Sequence, residues 1–307
     1  MQHSAQERGP PFMSKSIING DDRLRLAIQR NGRLTEETLK LLHLIGLEFE
    51  SYGQKLLSRC RNFPLSIMFG RDDDIPGYVG LGAADLGIVG RNLIYEEGVD
   101  VTELVPLGFG YCALVIAVMR DSPYQTLDDV KGLKFATSYA KSARRFFAEH
   151  GAAPEIMSLS GSVEMAPSLG LADAIVELTA TGSTLILNDL RQIATILESE
   201  AVLVANNAAL ADPVKRANID RLMLRIDAVR AARRYKYVMM NAPIAALDAI
   251  KAVIPGLKSP TIIPLDLEGW VAVHTAIEEE VFWESIERLR AAGATEILVS
   301  SLDKLLL

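Results

Sequence analysis

Cysteine is scarce: Cys60 and Cys112 are the only two, and they stand in separate apolar contexts with no paired spacing. A disulfide scaffold and a cysteine-based zinc site are therefore excluded, and a reducing compartment fits. Histidine is hardly commoner. His3 lies near the start, and His43, His150 and His274 fall in amphipathic segments, so no Ser-His-Asp or Cys-His arrangement stands out. Long apolar runs are missing as well, because the longest, Tyr111 to Met119, stops at Arg120, well short of the roughly 18 residues that a membrane span needs. Positive charge is in deficit, with 32 Lys and Arg against 39 Asp and Glu, a net charge of −7 and a pI of about 5.3. The densest basic cluster, Arg230, Arg233, Arg234 and Lys236, falls at a helix end, where such charges complement the dipole. Neither nucleic acid nor membrane is an expected partner. Residues 1–22 carry Pro10-Pro11 and no apolar core segment, so a flexible extension is expected there instead of a signal peptide, and a cytoplasmic location follows.

What is present is ample apolar material, 49% of 307 residues, enough for two or three domains with ordinary cores. A strand over 24–29 runs into Arg30-Asn31-Gly32-Arg33, Thr35 opens a helix with Leu39, Leu42 and Ile45 on one face, and Gly46 ends it. A strand over 65–69, the run Arg71-Asp72-Asp73-Asp74, a short helix to Gly82 and a buried strand over 86–89 follow. Strands alternating with helices predict a parallel α/β sheet. The unit repeats: Leu81-Gly82-Ala83-Ala84-Asp85 before a buried strand is echoed by Leu169-Gly170-Leu171-Ala172-Asp173 before another, which predicts two related lobes.

The chain is expected to cross between lobes near 108–110. The second lobe then holds a strand over 133–137, a helix over 140–150, a strand over 155–159, a helix from Ser162 and a strand over 172–178, after which strands near 193–197 and 202–204 return it to the first. That places the first lobe at 23–109 and about 192–233, and the second at 110–191. Past a long helix over 213–233, the order strand, helix, strand, strand, helix, strand predicts a separate ferredoxin-like domain over 234–307.

The chemistry concentrates in residues 169–184. A buried strand ends at Glu177-Leu178 and gives way to Thr179-Ala180-Thr181-Gly182-Ser183-Thr184, a small, hydroxyl-rich turn at the start of a helix. Backbone N–H groups converging in such a turn, with the hydroxyls of Thr181, Ser183 and Thr184, suit an anion, and a carboxylate beside that cradle suits a phosphorylated sugar better than bare phosphate. A strand followed by an ordinary Ser/Thr helix cap is the competing reading.

Residues 169–185 resemble the phosphoribosyl-pyrophosphate loop of the ATP phosphoribosyltransferases, in their long form with a C-terminal regulatory domain. Gln29-Arg30-Asn31-Gly32-Arg33-Leu34, Arg71-Asp72-Asp73-Asp74-Ile75-Pro76-Gly77, Ala84-Asp85-Leu86-Gly87-Ile88-Val89-Gly90, Ala136-Thr137-Ser138-Tyr139, Gly161-Ser162-Val163-Glu164 and Pro260-Thr261-Ile262-Ile263-Pro264-Leu265 agree with the same family in the same order. The resemblance implies an α/β fold, with a two-lobed catalytic body similar to type II periplasmic binding proteins and a ferredoxin-like regulatory domain. It implies transfer of phosphoribosyl to N1 of ATP with release of pyrophosphate, magnesium held mainly by substrate phosphates, inhibition by histidine within 234–307, and dimers and hexamers of the chain.

The expected roles follow from the matched motifs. Ala180, Thr181, Gly182, Ser183 and Thr184 would hold the 5-phosphate and Glu177 the ribose hydroxyls. Arg33 and Arg71 would neutralise ATP or pyrophosphate oxygens. Asp73 and Asp74 would orient the adenine amino group or the metal, or act only as helix-start charges. Ser138 and Tyr139 open a further turn toward the cleft. Arg91 departs from the acid expected after Gly90. Two other readings remain open, a non-catalytic bilobal metabolite sensor and a transferase acting on another phosphosugar.

Overall fold

A computed structural model describes residues 23–50, 56–254 and 259–306; the extension expected over 1–22 lies outside them. The chain runs β1 (Leu24–Gln29), α1 (Thr35–Leu44), β2 (Leu57–Arg59), β3 (Leu65–Gly70), α2 (Ile75–Gly80), β4 (Leu86–Gly90), α3 (Arg91–Glu97) and β5 (Thr102–Pro106) through the first lobe. It continues as β6 (Cys112–Met119), α4 (Leu127–Val130), β7 (Lys134–Thr137), α5 (Ala140–Glu149), β8 (Glu155–Ser158), β9 (Ala174–Thr179), α6 (Ser183–Leu187) and β10 (Leu190–Ser199). Then come β11 (Ala201–Ala205), α7 (Asn207–Ala211) and α8 (Pro213–Arg233), followed by β12 (Tyr235–Pro243), α9 (Leu247–Val253), β13 (Thr261–Pro264), β14 (Trp270–Glu278), α10 (Phe282–Ala291) and β15 (Thr295–Ser301).

Three sheets result. The first has the order β2-β3-β1-β4-β11-β5 and the second β10-β6-β9-β7-β8. Read from β3 and from β8, both follow one scheme: second strand, first strand, third strand, an antiparallel strand arriving from or leaving for the other lobe, then a final edge strand. This is the bilobal architecture of type II periplasmic binding proteins. The repeated Ala-Asp pair marks the same joint in each lobe. Asp85 accepts the backbone N–H of Arg25 at 2.8 Å and its own N–H bonds the Arg25 carbonyl at 2.9 Å. Asp173 does the same with Lys134, at 2.9 and 2.8 Å. Each aspartate thus pins the start of the lobe's first strand to the entry of its third.

Each lobe has its own core. β1, β3, β4 and β11 bury Leu26, Ile28, Ile67, Ile88 and Leu203 against α1 and α8, while β6, β7 and β9 bury Ile116, Phe135 and Val176 against Phe146 and Phe147 of α5. The near-continuous apolar strands are those of sheets covered on both faces. The third sheet, β13-β14-β12-β15, is wholly antiparallel, with α9 and α10 contributing Ile250 and Leu289 to its core. That is the ferredoxin-like arrangement.

Two expectations are corrected. The strand expected to carry the chain back to the first lobe near 193–197 instead belongs to β10, which pairs antiparallel with β6 along the second sheet and closes its edge, with bulges at Gln192/Ala194 and Thr195/Leu197. The return takes a single residue, Glu200, so the boundary falls there and not near 192. The helix expected from Ser162 is only a 3-10 turn over Val163–Met165, because Pro167 has no N–H to donate to a continuing ladder.

Candidate active site

The turn after β9 is built from its own side chains. Gly182 has φ +76°, a left-handed value that costs glycine nothing, and its N–H donates to Thr179 Oγ1 at 2.8 Å. Thr181 Oγ1 and Ser183 Oγ share a hydrogen bond of 2.8 Å. Ala180, Thr181, Ser183 and Thr184 are exposed, with Leu185 plugging the lobe beneath them. The following helix, α6, has only five residues, so its dipole is small and any anion would be held by turn N–H groups and hydroxyls. Thr179, at the end of β9, is a turn-closing hydroxyl that the sequence reading did not single out; its position three residues before Gly182 is the signal for a local hydroxyl-backbone turn.

Glu177 is half-buried, with its Oε1 accepting the N–H of Leu178 at 2.8 Å. Burial raises its carboxyl above the ordinary range, Glu164 nearby adds to the rise, and the Leu178 N–H partly offsets it. Tyr139 faces it. That ring packs against apolar residues of both lobes. Burial pushes its hydroxyl well up, and the carboxylates of Glu177, Asp73 and Asp72 around it push in the same direction. Charged groups of both lobes, Asp72 and Asp73 after β3 and Glu177 within β9, therefore act on one phenol. Its backbone is fixed through Thr137, which accepts the Tyr139 N–H at 2.8 Å and donates to the Val176 carbonyl at 2.6 Å.

On the first lobe, Arg71 is 81% exposed and stands 3.7 Å from Asp73. Asp73 is raised by burial first and then by Asp72, against the pull of Arg71. Asp74 is exposed at the start of α2 and makes no side-chain cap. Arg33 donates from Nη1 to the Gly110 carbonyl at 2.8 Å, tying the β1–α1 turn to the interlobe crossover. Ser138 is exposed, and its hydroxyl donates to Leu159 at 2.8 Å. Arg91 does not reach the cleft acids. Its guanidinium makes two bonds to Glu103, 2.7 and 3.0 Å, and lies 3.7 Å from Glu200, which also accepts the Gly108 N–H. It braces the crossover. No group of three or more His, Cys, Asp or Glu able to hold a metal occurs among the described residues.

The chain matches the ATP phosphoribosyltransferase family over residues 71–228 and the C-terminal domain of HisG over 232–304. It is 44% identical over 282 residues to the ATP phosphoribosyltransferase of Cytophaga hutchinsonii, covering 92% of this chain and 98% of that one. It is 43% identical over 284 residues to the Bacteroides fragilis enzyme of the same name, covering 92% of this chain and 100% of that one. Among solved structures, an ATP phosphoribosyl transferase (HisG:HisZ) complex from Thermotoga maritima superposes with a TM-score of 0.58 at 26% identity, over 66% of this chain and 96% of that one. With both domains matched in order and near-complete coverage of the relatives, this chain belongs to the ATP phosphoribosyltransferase family.

Proposed function

We propose that the chain transfers phosphoribosyl from phosphoribosyl pyrophosphate to N1 of ATP, releasing pyrophosphate, as the first step of histidine biosynthesis. The observation that carries this reading is the hydroxyl turn that follows β9, with the half-buried Glu177 carboxyl just before it on the same strand and the Tyr139 ring packed against apolar residues of both lobes. The turn 180–184 holds the 5-phosphate. Glu177, desolvated and acceptor-only, takes hydrogen bonds from the ribose hydroxyls, and its charge steadies the positive character that builds on the ring as the pyrophosphate bond lengthens. Arg71 and Arg33 meet phosphate oxygens, Asp73 and Asp74 face the adenine amino group or the metal, and Ser138 and Tyr139 line the cleft.

A divalent cation, magnesium, would balance the pyrophosphate charge. The donors at hand are scattered hard carboxylates, Asp73 and Asp74 among them, which fit an ion that takes most of its ligands from phosphate and water. The domain over 234–307 takes histidine as inhibitor and holds hexamers together, with the dimer as the catalytic unit. No helix among the described residues is long and apolar enough to cross a membrane, and we place the enzyme in the cytoplasm. The test is to incubate the chain with ATP, phosphoribosyl pyrophosphate and magnesium and to follow pyrophosphate and nucleotide mass. Equimolar pyrophosphate and phosphoribosyl-ATP are expected; binding of both compounds without product would leave a sensor.

A further inference from the structure

A helix start leaves N–H groups without intrahelical partners, and the residue before the helix ordinarily supplies the acceptor. At α5 that position is Tyr139, whose side chain makes no cap. The acceptor comes from the other lobe. Glu96, at the end of α3 and only 8% exposed, takes the N–H of Lys141 on Oε1 at 2.9 Å and the N–H of Ser142 on Oε2 at 2.7 Å. Around this buried carboxylate, Lys141 Nζ reaches Glu97 at 2.6 Å, while Arg145 donates to the Tyr95 carbonyl at 2.9 Å and stacks 4.3 Å over its ring. The other end of α3 is fastened to the second lobe too, where the Asn92 N–H and Oδ1 both bond Ser199 Oγ at 3.0 Å.

A carboxylate at a helix N-terminus with two charge-assisted bonds is a strong contact. Placing it in trans has a consequence for the site. A Ser or Asp at 139 could cap α5 from within its own lobe, but the site would then lose the ring that packs against apolar residues of both lobes. With Glu96 as cap, Tyr139 is left to the cleft, and the same contact sets the angle between the lobes.

We infer that Glu96 is a positioning residue, an interlobe clamp that holds the β7–α5 turn and Tyr139 at the separation where the two halves of the site face each other. The inference rests on the proposed transferase activity for its kinetic arm only. The test uses the full chain with Glu96→Ala and Glu96→Gln. Spin labels go on Leu81→Cys and Leu169→Cys, which are 89% and 62% exposed, whereas Cys60 and Cys112 are buried.

The parent should give one narrow interlobe distance, Glu96→Ala a broadened or shifted one, and Glu96→Gln, which keeps one acceptor oxygen, an intermediate. Turnover should fall by about 10- to 100-fold in Glu96→Ala, as misplacement of reacting groups does, while the Kd for phosphoribosyl pyrophosphate, whose 5-phosphate and ribose are assigned to the second lobe, stays within about twofold. Unchanged distances, or an affinity that falls in step with turnover, would overturn the clamp. Should Glu96→Ala fail to fold, Glu96→Gln decides by the same readouts. A parent that makes no product defeats the transferase reading, and the clamp is then judged by the distances alone.

Discussion

Burial raises the Glu177 carboxyl above the ordinary glutamate range, with Glu164 adding to the rise and the Leu178 N–H offsetting only part of it. A raised acid pKa means that the unfolded chain gives up this proton more readily than the folded one. Stability therefore falls as pH rises from the unfolded value through the folded one, and the deficit persists at neutral pH. Glu177→Gln should accordingly melt no lower than the parent at pH 7, and slightly higher if anything. Its turnover should drop by about 10- to 100-fold, the equivalent of one charge-assisted hydrogen bond of about 1.5 to 3 kcal/mol. Melting curves and initial rates on the same preparations check this; a lower melting temperature with unchanged turnover per folded molecule would make Glu177 a structural residue.

Among the elements, the strand-start joints at Asp85 and Asp173 are the same device in different surroundings. Asp85 is 2% exposed and also accepts Lys215 Nζ at 2.8 Å and the Arg25 guanidinium at 3.3 Å. Burial alone would raise its carboxyl, but these bonds outweigh burial and hold it below the usual range. Asp173 is exposed. Asp85→Ala leaves two cations without their buried partner and should cost about 3 to 5 kcal/mol, whereas Asp173→Ala loses a single backbone bond worth about 1 kcal/mol. A lowered acid pKa contributes stability that is present above the unfolded value and lost as pH falls through the folded one. The parent should therefore weaken in acid more steeply than Asp85→Asn, and denaturant titrations at several pH values would show it.

This joint was legible in the sequence because Ala-Asp before an apolar strand is a local pattern, as was the order of the C-terminal domain. The pairing of β10 was not, since the apolar positions between Ile193 and Leu197 serve either sheet. The cap of α5 by Glu96 was beyond reach for another reason: capping signals are sought within a few residues, and this acceptor lies 45 positions away.

At the scale of the whole molecule, the loops proposed to hold the substrates all belong to the two lobes, and the ferredoxin-like sheet has its own core. A chain ended after Arg233 should keep some pyrophosphate release that depends on both substrates, while losing hexamer formation and inhibition by histidine; activity against histidine concentration with light scattering for mass checks both. A full-length enzyme indifferent to millimolar histidine would contradict the regulatory role. The central claim is that the turn 180–184 holds the 5-phosphate of phosphoribosyl pyrophosphate and takes no part in holding ATP. Calorimetric titration of each substrate into the parent and into the Gly182→Ala, Thr184→Val double variant tests it most directly. Gly182 sits at φ +76°, where alanine strains the turn, and each charge-assisted bond lost to the phosphate costs about 1.5 to 3 kcal/mol. The account predicts that affinity for phosphoribosyl pyrophosphate falls by about 10-fold or more per lost bond with ATP affinity nearly unchanged; an equal loss for both substrates, or none for either, would contradict it.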